Sequence, residues 1–156
     1  MHYRKLWDKI LAEGETLEYE FSLSPRYRNF WLILWGVVSL PLLFIPKAGL
    51  ILFAIVLGTL WSYYGFYLKV SNAYAFTNKR VLIHKGWLST ITTSVDYNKI
   101  TDVSVIEKFF ERILLASGEL VINTAGTANE EIRLKHIATP HEAKKELSEI
   151  TGQVKK

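Results

Sequence analysis

The chain has no cysteine among its 156 residues. That removes disulfides, thiolate metal sites and cysteine nucleophiles, and it leaves the redox compartment open. Histidine is scarce too, with only His2, His84, His136 and His141, and no pair stands at a metal-like spacing. Ser89, Ser94 and Ser117 lack a Gly-x-Ser-x-Gly setting, and Gly126 belongs to no phosphate loop. Asp96 and Asp102 read as turn and strand-edge residues around Asn98-Lys99 rather than an acid–base pair. Catalysis, cofactors and bound metals are therefore not expected. The formal net charge of +4 is too weak to argue for nucleic acid, which calls for a concentrated basic stripe. No cleavable signal peptide is expected, because the apolar run starts late, after acidic residues, and is too long.

Charge is missing from one long stretch. Phe30 to Leu68 contains a single charged residue, Lys47. At roughly 1.5 Å per residue the stretch is about twice the length needed to cross a ~30 Å hydrocarbon core. It reads as a transmembrane hairpin of two helices, broken at Ile45-Pro46-Lys47-Ala48-Gly49. Ala48–Leu68 spans unaided. Phe30–Ile45 is short and either borrows Tyr27–Asn29 or thins the bilayer locally, and Pro41 should kink it. Trp31 and Trp35 at one end and Trp61, Tyr63, Tyr64 and Tyr67 at the other serve as interface anchors, which a hairpin brings to one face. Arg26, Arg28 and Lys69 lie outside that face against Lys47 at the tip, so both termini are expected in the cytoplasm and the protein in the cell membrane. Gly58, Ser62 and Gly65 share one helix face. They are helix-packing candidates, against Gly36 and Ser39 within the hairpin or between two copies.

Three segments follow: residues 1–26 with an amphipathic helix and a strand, 27–69 with the hairpin, and 70–156 with a domain that the strand at 16–23 joins. Leu6, Trp7, Ile10 and Leu11 fall at helical spacing, so Tyr3–Ala12 either lies on a membrane through Trp7 or packs on the domain. Thr16–Leu23 alternates, with Leu17, Tyr19, Phe21 and Leu23 on one face. Past the hairpin come strands: Val70–Thr77 and Arg80–Lys85 across Asn78-Lys79, then Leu88–Tyr97 turning at Asn98-Lys99 into Ile100–Glu107. Glu119–Thr124 and Glu131–Ile137 pair across Ala125–Asn129. A last helix starts with Thr139 as N-cap, Pro140 and Glu142, buries Ala143, Leu147, Ile150 and Val154, and ends at Gly152. The fold expected is a membrane-anchored α+β protein, a hairpin plus an antiparallel β-barrel or sandwich with one C-terminal helix.

Several segments, in order, carry a resemblance. They are Tyr74-Ala-Phe-Thr77-Asn-Lys-Arg80-Val81, Gly86, Ile100-Thr-Asp102-Val103, Phe110-Glu-Arg112, Gly118-Glu-Leu-Val-Ile122-Asn-Thr124 and Pro140. Together they resemble the bacterial pleckstrin-homology (PH)-like family of the membrane-flanking type, over roughly Glu15 to Ile150. The resemblance implies a PH-like domain behind a spanning hairpin, and a location more than an activity. The chain departs from it at Leu115-Ala-Ser-Gly118, where the family often has a Phe-Gly or Ile-Gly step.

Two surfaces are candidates for contact. Lys79, Lys85, Arg133 and Lys135 either gather lipid headgroups or partners or are ordinary solvated positions, while Arg80 braces its turn. Phe109, Phe110 and Ile113 lie in a segment too apolar for a free loop. It either covers an open barrel end or meets a partner or the bilayer. The expected role is a non-enzymatic, membrane-anchored module on the cytoplasmic face. Its partners would be membrane lipids, a membrane or cytoplasmic protein, or other copies of itself, with anionic headgroup recognition as the alternative and no nucleic acid.

Overall fold

The computed structural model describes residues 3–125 and 131–154. His2, the loop expected over Gly126–Asn129 and the side chain of Val154 lie outside it. Among the described residues, seven strands form two antiparallel sheets. One has the order β1 (Leu17–Ser22), β2 (Asn72–Thr77), β3 (Arg80–Lys85), β4 (Ile91–Asp96); the other is β5 (Ile100–Ile106), β6 (Gly118–Thr124), β7 (Glu131–Ile137). The barrel expectation is corrected to an open sandwich. Asn98-Lys99 is no hairpin turn: a single 3₁₀ turn, Tyr97–Lys99, carries the chain from one sheet into the other. On the opposite side the sheets meet at one bridge, Leu23 to Ile137.

Between the sheets lie Phe76, Val81, Ile83, Leu120, Ile122, Leu134 and Ile137. The C-terminal helix closes this layer through Ala143, Leu147 and Ile150, the stripe that its 3.6-residue period predicts. The helix runs from Pro140 to Val154, so Gly152 does not end it.

β2 is buried on both faces. Tyr74 and Phe76 point into the sandwich, while Ala73 and Ala75 point outward beneath Trp7, which is wholly buried against them and Leu82. Tyr3, Leu6, Ile10 and Leu11 complete this cover. The membrane-surface reading of Trp7 is thereby corrected, and the helix itself (α1) is only Arg4–Trp7. Leu17 joins the same outer cluster, because a bulge between Leu17 and Tyr19 puts it on the opposite face from Tyr19 and Phe21.

The chain leaves the first sheet after β1 and returns to it at β2 through a helical hairpin. The first leg, α2, is Pro25–Val38, capped by Ser24, whose hydroxyl accepts from the Tyr27 amide at 3.4 Å. At Pro41 the leg tightens into a 3₁₀ turn, Leu40–Phe44. The second leg, α3, is Gly49–Val70, with a π-helical stretch over Trp61–Tyr67. Lys47 at the tip is left-handed, with φ 65°. Gly49 permits the tight reversal, since a Cβ there would lie 2.3 Å from the Leu42 carbonyl oxygen. The legs are 20 and 22 residues long, with mean hydropathy 1.3 and 1.6, and little of either is covered by other protein.

Candidate functional site

Where the hairpin joins the sandwich, the sheets splay around a cleft of about 570 Å³. Its walls come from distant parts of the chain: Tyr27 and Leu68 from the two legs, Asn72 and Tyr74 from β2, Lys85 from β3, and Arg133, Lys135 and His136 from β7. Antiparallel pairing places Lys85 opposite Asn72, at the end of the strand pair where the hairpin enters. Strand alternation turns Arg133 and Lys135 outward while Leu134 fills the core.

His136 shapes the cleft. Its φ of 57° is left-handed, which costs a non-glycine residue roughly 1–2 kcal/mol, and the β6–β7 register shifts between Gly118 and Leu120. The kink presents the His136 carbonyl to the Ser24 amide at 2.7 Å. The imidazole stacks on the Tyr27 ring with centroids 4.1 Å apart. Burial pushes the imidazole below its ordinary range, so it is neutral at pH 7. Tyr74 is pushed up to about 12 by burial and stays a neutral hydroxyl.

The basic groups differ in what they can offer. Arg133 is already engaged by Glu131 at 2.6 Å and Glu119 at 3.5 Å. Glu131 also lines the cleft, but its carboxylate is held by Arg133; among the described residues Lys85 and Lys135 make no ion pair, so their charges face the cleft unpaired. Lys79 does not join them. It sits at the far end of the β2–β3 pair, where its ammonium donates to the Glu13 carbonyl at 3.3 Å.

Arg80 braces its turn, as expected. Its Nε donates to Glu15 Oε1 at 3.0 Å and its Nη2 to Glu15 Oε2 at 2.9 Å. The same carboxylate accepts from the Thr77 hydroxyl at 2.7 Å and the Ala12 amide at 2.9 Å. Burial alone would raise the Glu15 carboxyl; these donors and the Arg80 charge outweigh it and hold the group down at about 2. The Thr77-Asn-Lys-Arg80 motif is therefore a structural clamp.

The apolar segment forms α4, Phe109–Ile113. Phe109, Phe110 and Ile113 are 71%, 69% and 59% exposed, so the reading that they cover a barrel end is corrected; only Leu115 is buried. Ala116, where the chain departs from the family's glycine step, is left-handed at φ 40°. The turn is held by the Ser24 hydroxyl donating to the Leu115 and Ala116 carbonyls at 3.0 and 3.3 Å.

In the hairpin, Gly36 faces Leu57 of the second leg. Gly58 and Ser62 do not face the first leg. They line an outward groove with Phe66 and Trp87, and Gly65 lies under the Trp61 ring. Of the aromatic anchors, Tyr63 and Tyr67 stack at 5.5 Å, Tyr64 meets Tyr63 edge-on at 5.0 Å, and Trp35 and Trp61 are exposed. Trp31 lies edge-on to Phe30 at 5.7 Å. His84 is buried at the end of β3, its Nδ1 3.1 Å from the Thr92 hydroxyl, and burial pushes its ring below the ordinary range. Among the described residues no three His, Asp or Glu side chains gather as a metal would require.

Tyr27, Leu68, Asn72 and His136 were not foreseeable as cleft residues. A left-handed histidine has no sequence signal, and the legs reach the cleft only through the tertiary fold.

Comparison with known proteins agrees with this architecture. A family model described as "Bacterial PH domain" matches residues 32–151, a span that takes in most of the hairpin and strands β2 to β7 but not β1. Among solved structures, the chain is similar to a DUF1696 family protein with a pleckstrin-homology domain from Shewanella loihica PV-4. The identity is 14% and the TM-score 0.50, over 94% of this chain and 91% of that one. It is similar also to a pleckstrin homology domain from Shewanella amazonensis SB2B, at 15% identity and TM-score 0.50, over 94% and 86%. At these identities the likeness concerns the fold alone. No curated protein matches. With a split antiparallel sandwich, a closing C-terminal helix and a family match across most of its length, this chain belongs to the bacterial PH domain family.

Proposed function

We propose that the chain is a binding module held on the cytoplasmic face of a membrane by its hairpin, and that the cleft at the hairpin root collects anionic lipid headgroups. One observation carries this reading. Lys85 and Lys135, unpaired, converge with Arg133 on a cavity whose wall includes both legs of an uncovered apolar hairpin. Cationic side chains near an anionic leaflet contribute about 1 kcal/mol each. The cleft's volume suits a phosphorylated headgroup; Tyr74 and Asn72 are bonded to each other, and Asn72 to Leu68 and Ser71, so the cations supply the contacts.

The test uses the full-length chain in nanodiscs of mixed phosphatidylcholine and phosphatidylglycerol, with bound lipid counted by native mass spectrometry. Reversing Lys85→Glu and Lys135→Glu together removes the preference for the anionic lipid by at least about tenfold. Lys79→Glu, remote from the cleft, leaves it in place. Equal retention in the double variant and the parent overturns the reading.

A second reading, presentation of a surface to a protein partner or another copy, draws on β4. This edge strand of the first sheet is exposed at five of its six residues, and its outer edge is open to another strand. Multi-angle light scattering in detergent separates the two. A strict monomer that also retains nothing from native membranes counts against presentation.

A further inference from the structure

We propose that the sandwich rests on the lipid surface through two apolar feet set at the two legs of the hairpin: α4 at the first, and the β3–β4 turn at the second. This rests on the reading that the hairpin is embedded in a bilayer.

The first foot is α4 with Leu114. On a helix Phe109, Phe110, Ile113 and Leu114 share one arc of about 140°, and each is more than half exposed. The opposite arc is tied down. The Glu111 carbonyl accepts from the Ser117 amide at 3.0 Å and its side chain lies beside His136, and the Leu115 carbonyl accepts from Ser24, the residue that caps the first leg. The second foot is the turn after Gly86, where Trp87, Leu88 and Ile91 are 49%, 88% and 67% exposed. The Trp87 ring meets Phe66 of the second leg edge-on at 5.5 Å.

Depth decides what these residues face. Legs of 20 and 22 residues extend about 30 and 33 Å at 1.5 Å per residue, the thickness of a hydrocarbon core. The boundary of the lipid then falls at the roots, near Ser24 and Val70; the first foot touches its leg at that level, and the second about one turn inside it, at Phe66. The charges agree, since Lys108 and Arg112 flank the phenylalanines while the neighbouring Glu107 and Glu111 turn toward His141 and His136, and Lys85 precedes the tryptophan turn. Aromatic and aliphatic tips set among cations are what an anionic interface binds. The cleft lies between the feet, with Lys85 beside one and His136 beside the other, so its mouth opens onto the headgroups.

The absence of cysteine makes the test direct. The full-length chain carries one cysteine at a time, labelled with an environment-sensitive fluorophore, in vesicles of equal phosphatidylcholine and phosphatidylglycerol. Phe110→Cys and Leu88→Cys probe the feet, Leu52→Cys the hairpin, and Lys144→Cys the C-terminal helix. Shallow nitroxide lipids are expected to quench the labels at 110 and 88 at least about threefold more than the label at 144, while deep nitroxide lipids quench the label at 52. Quenching at 52 with none beyond the 144 level at 110 and 88 overturns the feet and leaves the hairpin embedded. Absence of lipid quenching at 52 overturns the embedded hairpin, and the feet with it. Labels at 110 and 88 shielded from aqueous iodide yet untouched by lipid would show that protein covers them, and would overturn the proposal.

Discussion

Replacing Glu15 with glutamine is expected to destabilise the folded chain by about 3–5 kcal/mol, the cost of breaking a buried ion pair from one side. The Glu15 side chain has no solvent exposure, and both of its oxygens are occupied by donors from Arg80, Thr77 and Ala12. Glutamine keeps the size but turns one acceptor into a donor, so a donor is forced against a donor and Arg80 loses its counter-charge. Denaturant unfolding of the full chain in detergent measures the loss; a change below about 1 kcal/mol would show the pair to be worth no more than a surface bridge.

The same carboxylate sets an acid limit. Its folded value of about 2 lies below its ordinary 4.5, so the unfolded chain binds the proton more readily. The stabilisation is therefore complete above pH 4.5 and lost as pH falls toward 2. A difference of that size corresponds to a contribution on the order of 3 kcal/mol. In Glu15→Gln the loss of stability across that window should be correspondingly smaller.

Trp7→Ala is expected to cost about 3–5 kcal/mol, the range for emptying a fully buried large side chain. The indole rests on Ala73, Ala75 and Leu82, and the two alanines are small where the tryptophan needs room. Tyr3, in the same segment, donates its hydroxyl to the Lys69 carbonyl at the exit of the second leg. Losing the indole should thus also loosen the N-terminal segment, seen as faster amide exchange across residues 3–11. Unchanged stability would show that the packing of Trp7 on β2 and β3 contributes little to holding the fold.

How far the residues announce the fold depends on the range of the forces involved. The helical hairpin was legible because a long apolar stretch with one charge is interrupted by Pro46, Lys47 and Gly49 at its middle, and the C-terminal helix because its stripe is periodic. Asn78-Lys79 was legible as a turn, and Arg80 as its brace. The sheet assignment of β5 was not: Asn98-Lys99 looks locally like a hairpin turn, and only tertiary packing sends the two strands into different layers. Trp7 and Phe109 show the same boundary from two sides. Both sit in short amphipathic helices, yet one is wholly buried and the other 71% exposed. Apolar density says that a side chain seeks cover and cannot say whether its own chain supplies it. The cleft was half legible, with Lys85, Arg133 and Lys135 named from alternation, and Lys79 separated from them by the length of a strand pair.

The hairpin leaves and re-enters the first sheet through two strands that are hydrogen-bonded neighbours, with Ser22 facing Ala73. A body hung from a single stalk can swivel about it; one whose two stalks grow from adjoining rungs of the same ladder cannot turn without shearing that ladder. Whatever grips the hairpin therefore fixes the compass heading of the sandwich as well as its height, and neighbouring copies gripped alike would share a common bearing.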